Sequence, residues 1–130
     1  MFCEVKGSFK SKRDLTLEAA YFAKDFLIPR VKKLEVYIFL VDMENDADVV
    51  EEDPREFYMR IKKSLDKEDL VTAVFHEFVH VKQAIRNDHG DIFAISNVPY
   101  YDKPSEKEAY KLQEIILAEY MKSINSSVSV

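Results

Sequence analysis

Residues 66–87 constrain the fold most, because apolar side chains recur at helical spacing along the whole stretch. These side chains are Leu70, Ala73, Val74, Val81 and Ala84. Asp66, followed three residues later by Asp69, predicts the start of a helix, and Gly90 predicts a stop. A helix with one apolar stripe needs a second layer to cover that stripe. We therefore expect a packed domain built around this helix.

The rest of the chain alternates between helix and strand patterns. The predicted elements are a strand at 2–6, a helix at 13–29 that Pro29 ends or bends, strands at 34–41 and 56–62, and a last helix from Ser105 to about Ser123. We expect one α+β domain spanning 1–130, with residues 124–130 as a frayed tail. The expected sheet is small, mixed or antiparallel, with the helix over 66–87 packed beneath it.

The composition favours an intracellular protein without disulfides. Hydrophobic residues make up 47% of the 130 residues, enough for a normal core, and Cys3 is the single cysteine. The N-terminus lacks the pattern of a signal peptide, and no apolar run is long enough to span a membrane. We therefore expect a cytoplasmic location. The mildly basic first third has no interleaved aromatic residues, so no nucleic-acid partner is expected.

An acidic segment, residues 42–56, follows the second predicted strand. It carries eight acidic residues against Arg55 alone. Its first acids follow the spacing of a calcium-binding loop, but Ala47 stands where that loop requires glycine, and the closing glutamate is missing. We interpret Asp42 to Asp48 as a solvated acidic turn, and Val49 and Val50 could end or begin a strand.

The chemistry-bearing motif is His76-Glu77-Phe78-Val79-His80, inside the helix over 66–87. Histidines at i and i+4 lie on one helix face, so His76 and His80 can bind one zinc ion. Glu77 lies about 100° around the helix, where it can take a proton from a water activated by the metal. The alternative is two histidines packed on an apolar face with Glu77 as their ion-pair partner.

A catalytic zinc usually has three protein ligands, so one more must come from elsewhere. His89 is the only other histidine, but it follows His80 on the same helix and would need a sharp reversal of the chain. In the last helix, Glu106 and Glu108 lie at similar angles to the predicted apolar face. Glu108 heads an apolar stripe formed by Leu112, Ile115 and Ile116.

Other roles are open to these glutamates. Glu108 could instead complete a capping box with Ser105. Glu106 could face solvent at the positive end of the helix. Glu119 lies in the stripe too, but far along the helix axis, where it could pair with a base. Geometry alone leaves the third ligand unassigned.

The chain resembles gluzincin zinc peptidases, which combine His-Glu-x-x-His on one helix with a glutamate before a small residue on a later helix. The matching residues are His76, Glu77, His80, and Glu108 before Ala109. The size and the strand before the motif are similar to minigluzincins and to small phage-borne or ImmA/IrrE-like metallopeptidases. The resemblance covers roughly residues 56–120. It implies one zinc ion per chain held by His76, His80 and Glu108, and action in a host cytoplasm for a phage-borne member.

The resemblance also carries expectations about substrate and oxyanion. It implies that the strand at 57–62 is an exposed edge that pairs with an extended peptide; an ordinary protected sheet edge is the alternative. Zincins often stabilise the oxyanion with a tyrosine or histidine. Tyr100, Tyr101 and Tyr110 lie in or near the loop before the last helix, and Tyr101 is our candidate. Packing of these rings onto the core is the alternative.

Two functions follow from these patterns. The first is a zinc peptidase that uses Glu77 as general base. The second is a zinc-stabilised regulatory or binding module of the same fold with little or no turnover, a role that the ImmA/IrrE-like resemblance implies. Gln83, on the helix of the motif, could orient a metal ligand through a hydrogen bond or could simply face water.

Overall fold

The fold is mixed α+β, with three helices and a four-stranded sheet in a computed structural model that describes residues 1–86 and 103–128, side chains through residue 125. In chain order the elements are β1 (Phe2–Lys6), α1 (Lys10–Leu27), β2 (Glu35–Val41), β3 (Ala47–Asp53), β4 (Glu56–Lys62), α2 (Lys67–Arg86) and α3 (Pro104–Val128). Among these residues, none of the helices has the length and apolar content needed to cross a membrane.

The strands lie in the order β1-β2-β4-β3. β1 and β2 pair in parallel, β2 and β4 pair in parallel, and β3 runs antiparallel to β4. The β1–β2 connection contains α1, as a parallel pair requires. β3 and β4 form a hairpin whose turn includes Arg55 at a φ of 66°. β1 and β3 are thus the two edges of the sheet in the described part of the chain.

One face of the sheet forms the floor of the core. Alternate residues of β2 and β4 point to this face, as the period of two in a strand dictates. They are Val36, Ile38, Leu40, Phe57, Met59 and Ile61, all buried. Burying one such side chain contributes about 1.5–3 kcal/mol. α1 packs against β1, α2 packs against β3 and β4, and α3 packs mainly on α2.

α2 is the most enclosed helix, because it contacts strands on one side and both other helices. Asp66 caps its start: the Asp66 carboxylate accepts a hydrogen bond from the amide of Asp69 at 2.9 Å. Val74, Phe75, Phe78 and Val79 are fully buried. The backbone of α2 is therefore held in a fixed position, and this fixes the direction in which its side chains project toward α3.

The structure differs from the predicted elements at several boundaries. α1 begins three residues earlier than predicted and ends at Leu27, before Pro29. α3 continues to Val128, so residues 124–128 are helical rather than frayed. The strand predicted at 56–62 is present with one buried face, but it lies between β2 and β3, so both of its edges are paired. It is not the exposed edge that the resemblance implied.

The bounds of β3 were not predicted from the sequence, although Val49 and Val50 suggested a strand end there. Ala47 and Val49 are half-buried on its inner side, while its last four residues are exposed. Its acidic residues obscure the alternation of apolar and polar side chains that predicts a strand. The last two residues of the predicted acidic turn, Ala47 and Asp48, therefore already belong to an edge strand.

Gly7 permits the tight passage from β1 to α1. Its φ is +99°, and a Cβ on it would collide with the main-chain carbonyl of Leu40 in β2. We expect Gly7→Ala to lower the free energy of unfolding by about 2 kcal/mol or more, because the strain adds to a clash with sheet backbone. Urea denaturation measures this. The control is Ser8→Gly at the neighbouring φ of 57°, expected within about 1 kcal/mol of wild type. Equal stability of the Gly7→Ala variant would contradict this role.

Candidate metal centre

α2 presents two histidines toward α3, one turn apart. The rings of His76 and His80 lie with their centroids 5.0 Å apart and their planes at 76°. His76 is 9% exposed. The i, i+4 spacing predicted from the sequence therefore produces two convergent imidazoles on one helix face.

Glu106, in the first turn of α3, completes the cluster. Its Oε1 lies 2.9 Å from Nε2 of His76, and its Oε2 lies 3.1 Å from Nε2 of His80. Glu106 is 4% exposed. The ligand atoms of the three residues all lie within 4.8 Å of one another. One carboxylate thus bridges two imidazole nitrogens at the interface of two helices.

Each imidazole is held from behind by an amide. Nδ1 of His76 lies 2.7 Å from Oε1 of Gln113, and Nδ1 of His80 lies 2.8 Å from Oε1 of Gln83. Gln83 is 2% exposed, so it does not face water, the alternative that the sequence left open. Such partners fix the tautomer and ring orientation of metal-binding histidines.

The orientation of the Gln83 amide follows from its other contacts. Its Nε2 donates to the main-chain oxygen of Ser105 at 2.9 Å and to Oε1 of Glu108 at 3.0 Å. Oε1 must then be the atom that faces His80, and Nδ1 of His80 must carry the proton. In a neutral imidazole this leaves the lone pair of Nε2 directed at the carboxylate of Glu106.

A neutral His80 would therefore face Glu106 as one acceptor facing another. Two facing acceptors in a buried place repel each other unless a proton or another positive charge lies between them. Burial alone would lower the pKa of His80, but its hydrogen bond to Glu106, together with Glu77 and Gln83, outweighs burial and raises that pKa. The environment thus favours positive charge. Two imidazoles and one carboxylate form a donor set that could hold a metal ion.

The structure brings Glu106, not Glu108, to the two histidines. Glu108 instead accepts the hydrogen bond from Gln83 and lies 3.5 Å from Nζ of Lys82. α3 begins at Pro104, and the amide of Lys107 bonds to the carbonyl of Lys103. Ser105 is therefore inside the helix, and the capping box between Ser105 and Glu108 does not fit this start.

The physical reason lies in which face of α3 is buried. The side chains that face α2 recur at alternating steps of three and four residues. They are Glu106, Ala109, Gln113, Ile116 and Tyr120. Ile115, which was used to locate the predicted apolar face, is 42% exposed. Because Ile115 was included, the centre of the predicted buried face moved around the helix toward Glu108. The spacing of Glu106, Ala109 and Ile116 indicates the face that is buried in the structure.

Glu77 lies at the base of an open cleft next to the cluster. It is 5% exposed, and burial raises the pKa of Glu77 from 4.5 to about 7 against the opposing influence of His80 and His76. No hydrogen bond engages the Glu77 carboxyl within the part of the chain that the structure describes. A buried, unengaged carboxyl with a pKa near 7 can exchange a proton near neutral pH.

The cleft has a volume of about 660 Å³. It lies between the β2–β3 loop, the first half of α2, and α3. The described residues that line it are Glu44, Asn45, Asp46, Ala47, Asp69, Thr72, Ala73, His76, Glu77, Tyr110 and Gln113. A small molecule or an extended chain in this space would contact both Glu77 and His76.

One of the three candidate tyrosines lies in this cleft. The ring of Tyr110 packs against His76 with centroids 4.7 Å apart, and the residue is 46% exposed. Tyr101, the candidate chosen from the sequence, lies outside the described residues, as do Tyr100 and His89.

The chain was compared with protein-family models, with curated proteins and with solved structures, and none of the three comparisons found a match.

The third position of the cluster can be tested by metal affinity. We expect Glu106→Gln to weaken zinc binding roughly 100-fold or more, because it removes the charged member of the donor set. Glu108→Gln is the matched control: the same change two residues away, expected within a few-fold of wild type. Competition with a zinc-binding dye measures both. A larger loss in the Glu108→Gln variant would restore the assignment drawn from the sequence.

The pKa of Glu77 predicts a pH-dependent stability in the metal-free chain. An unfolded glutamate ionises near pH 4.5, whereas folded Glu77 keeps its proton to about pH 7. The contribution of Glu77 to stability is therefore complete below pH 4.5 and is lost as the pH rises through 7. At about 1.4 kcal/mol for each pKa unit, Glu77→Gln should be more stable than wild type at pH 8 by at most about 3 kcal/mol, and about equal at pH 4.5.

Urea denaturation with a chelator present measures this difference. Glu68→Gln removes a carboxylate from the exposed face of the same helix and serves as the control. The same gain at both pH values, or in both variants, would contradict the assignment of this effect to Glu77.

Proposed function

We propose that the chain is a zinc-dependent peptidase of the gluzincin kind, with zinc held by His76, His80 and Glu106. The carrying observation is that this buried donor set adjoins a buried, unengaged Glu77 in the wall of an open cleft. A purely structural ion site would need neither a cleft nor a nearby carboxyl with a pKa near 7.

The donor set suits zinc. Imidazole nitrogens and a carboxylate are regular zinc ligands, and three protein ligands are typical of a catalytic site. Both imidazoles offer Nε2 with Nδ1 held by an amide oxygen, as metal-binding histidines are usually held. Zinc bound here supplies Lewis acidity, which polarises a carbonyl oxygen and lowers the pKa of water.

Glu77 moves the proton in this proposal. Its carboxylate accepts a proton from the attacking water and returns it to the nitrogen of the leaving amine. The pKa of about 7 allows both steps near neutral pH, because neither the acid nor the base form is strongly favoured. Burial keeps the proton from exchanging with bulk solvent during the reaction.

Tyr110 is the described residue best suited to hydrogen bond the substrate carbonyl. It is held against the ring of His76 and lines the cleft, so its hydroxyl would be available to developing negative charge on the substrate. In the proposal Tyr110 takes the role that the sequence had assigned to Tyr101.

The substrate in this proposal is an extended peptide bound along β3. β3 is a sheet edge that packs against α2, and the loop before it forms one wall of the cleft. A peptide added to this edge would gain main-chain hydrogen bonds and would lead its carbonyl group toward His76 and Glu77. In this proposal β3, rather than the strand predicted at 57–62, pairs with the peptide substrate.

The test compares zinc-loaded wild type with Glu77→Gln on a library of quenched fluorescent peptides. Wild type should cleave some of the peptides. Glu77→Gln should lose about 100- to 10,000-fold of that rate, the usual contribution of general-base catalysis, while it still binds one zinc per chain. Glu68→Gln should cleave like wild type.

Two outcomes would count against the peptidase. Cleavage that persists in Glu77→Gln would show that a different group carries the reaction or that a contaminant does. Stoichiometric zinc binding without cleavage of any peptide would favour the regulatory or binding module.

A further inference from the structure

The walls of the cleft are acidic. Glu44 and Asp46 contribute from the β2–β3 loop, and Asp69 contributes from the first turn of α2. Among the described residues that line the cleft there is neither lysine nor arginine. A positively charged group that enters the cleft would therefore meet carboxylates on two sides.

The three cleft carboxylates have no basic partner within the described chain. In the ranges 1–86 and 103–125, no ion pair or hydrogen bond engages their side chains, whereas two acids beside them are paired: Asp42 with Lys63 at 3.4 Å, and Asp48 with Arg60. The side chains of the cleft acids are therefore available to a ligand.

A second observation points to a ligand in the same space. Glu77 lines the cleft, is 5% exposed, and has no hydrogen-bond partner for its side chain among the described residues. A cleft with carboxylates at its rim and a low-dielectric base concentrates the field on whatever enters it. The electrostatic potential of this cleft therefore favours cations.

Stabilisation of the local structure explains only one of the three acids that line the cleft. An acid in the first turn of a helix is stabilised by the helix dipole, which explains Asp69. It does not explain Glu44 and Asp46, which line the same cleft from the β2–β3 loop. Carboxylates that line one cleft repel one another, so a ligand with the opposite charge would lower this cost.

We infer that the cleft selects peptides with a lysine or arginine side chain beside the bond to be cleaved, and that Glu44, Asp46 and Asp69 determine this specificity. This inference rests on the proposed function. The basic side chain forms charge-assisted hydrogen bonds with the rim, while the backbone of the peptide passes His76 and Glu77.

The test measures binding separately from cleavage. Two fluorescent peptides, identical except for a central arginine or glutamate, are titrated with zinc-loaded Glu77→Gln at about 50 mM salt, where surface charges are only partly screened. Fluorescence anisotropy should give a dissociation constant about tenfold lower for the arginine peptide, the sum of a few exposed ion pairs. Adding Asp46→Asn and Asp69→Asn should reduce the preference to about threefold or less.

The matched control is Glu68→Gln in the same background, which removes one negative charge from the same helix turn but outside the cleft. It should keep the preference for arginine. Equal binding of the two peptides, a preference unchanged by Asp46→Asn and Asp69→Asn, or an equal loss in the Glu68→Gln control would overturn the inference.

Cleavage of the same peptides by wild type separates this inference from the proposed function. If the arginine peptide is bound selectively and cleaved faster than the glutamate peptide, both stand. If it is bound selectively through Asp46 and Asp69 but never cleaved, the peptidase proposal fails while the charge selectivity stands. If both peptides are cleaved at equal rates, the peptidase proposal stands and the selectivity fails.

Discussion

The contact between two helices is centred on three polar groups that meet in a buried place. Nε2 of His76 and Nε2 of His80, both from α2, lie within hydrogen-bond distance of the carboxylate of Glu106, from α3. With neutral imidazoles that are protonated at Nδ1, all three groups are acceptors, and positive charge between them relieves their repulsion. A bound metal ion would therefore act as a crosslink between the last helix and the rest of the domain, since among the described elements α3 packs mainly on α2.

The residues and elements around the cluster fix the positions of its side chains. α2 is enclosed by the sheet and by α1, so its histidines start from a fixed backbone. Gln83 then joins three parts of the centre: it bonds to His80, to the carbonyl of Ser105 and to Glu108. One buried amide thus sets both the tautomer of a histidine and the position of the first turn of α3.

Local features of the centre could be predicted from the sequence, and features that depend on packing could not. His76 and His80 share a face because of helix geometry alone, so their i, i+4 spacing in the sequence is enough to predict that they lie side by side. The identity of the third residue of the cluster depends on how α3 is rotated about its axis against α2. Ile115 was counted in the predicted buried face of α3 but is exposed, so the predicted rotation was wrong. Gln113, which supports His76, lies on the same face of α3 as Glu106, so part of the face that packs on α2 is polar and an apolar pattern does not mark it.

The same distinction holds for the sheet. Strands with apolar alternation, such as 56–62, could be recognised locally, but strand order is decided by contacts between distant segments. β3 was recognised only at Val49 and Val50, because acids occupy positions where a buried strand has apolar side chains. Its identity as an edge made those acids tolerable, and that identity appears only when the whole sheet is assembled.

The acidic residues at the β3 edge affect how readily the protein can aggregate. A sheet edge exposes main-chain donors and acceptors that can pair with the edge of another molecule, which is a common start of aggregation. Residues 42–53 contain seven acids and no base, so two copies of β3 brought side by side would repel each other. The acidic edge can thus accept a short chain of opposite charge while it disfavours pairing with a second copy of itself.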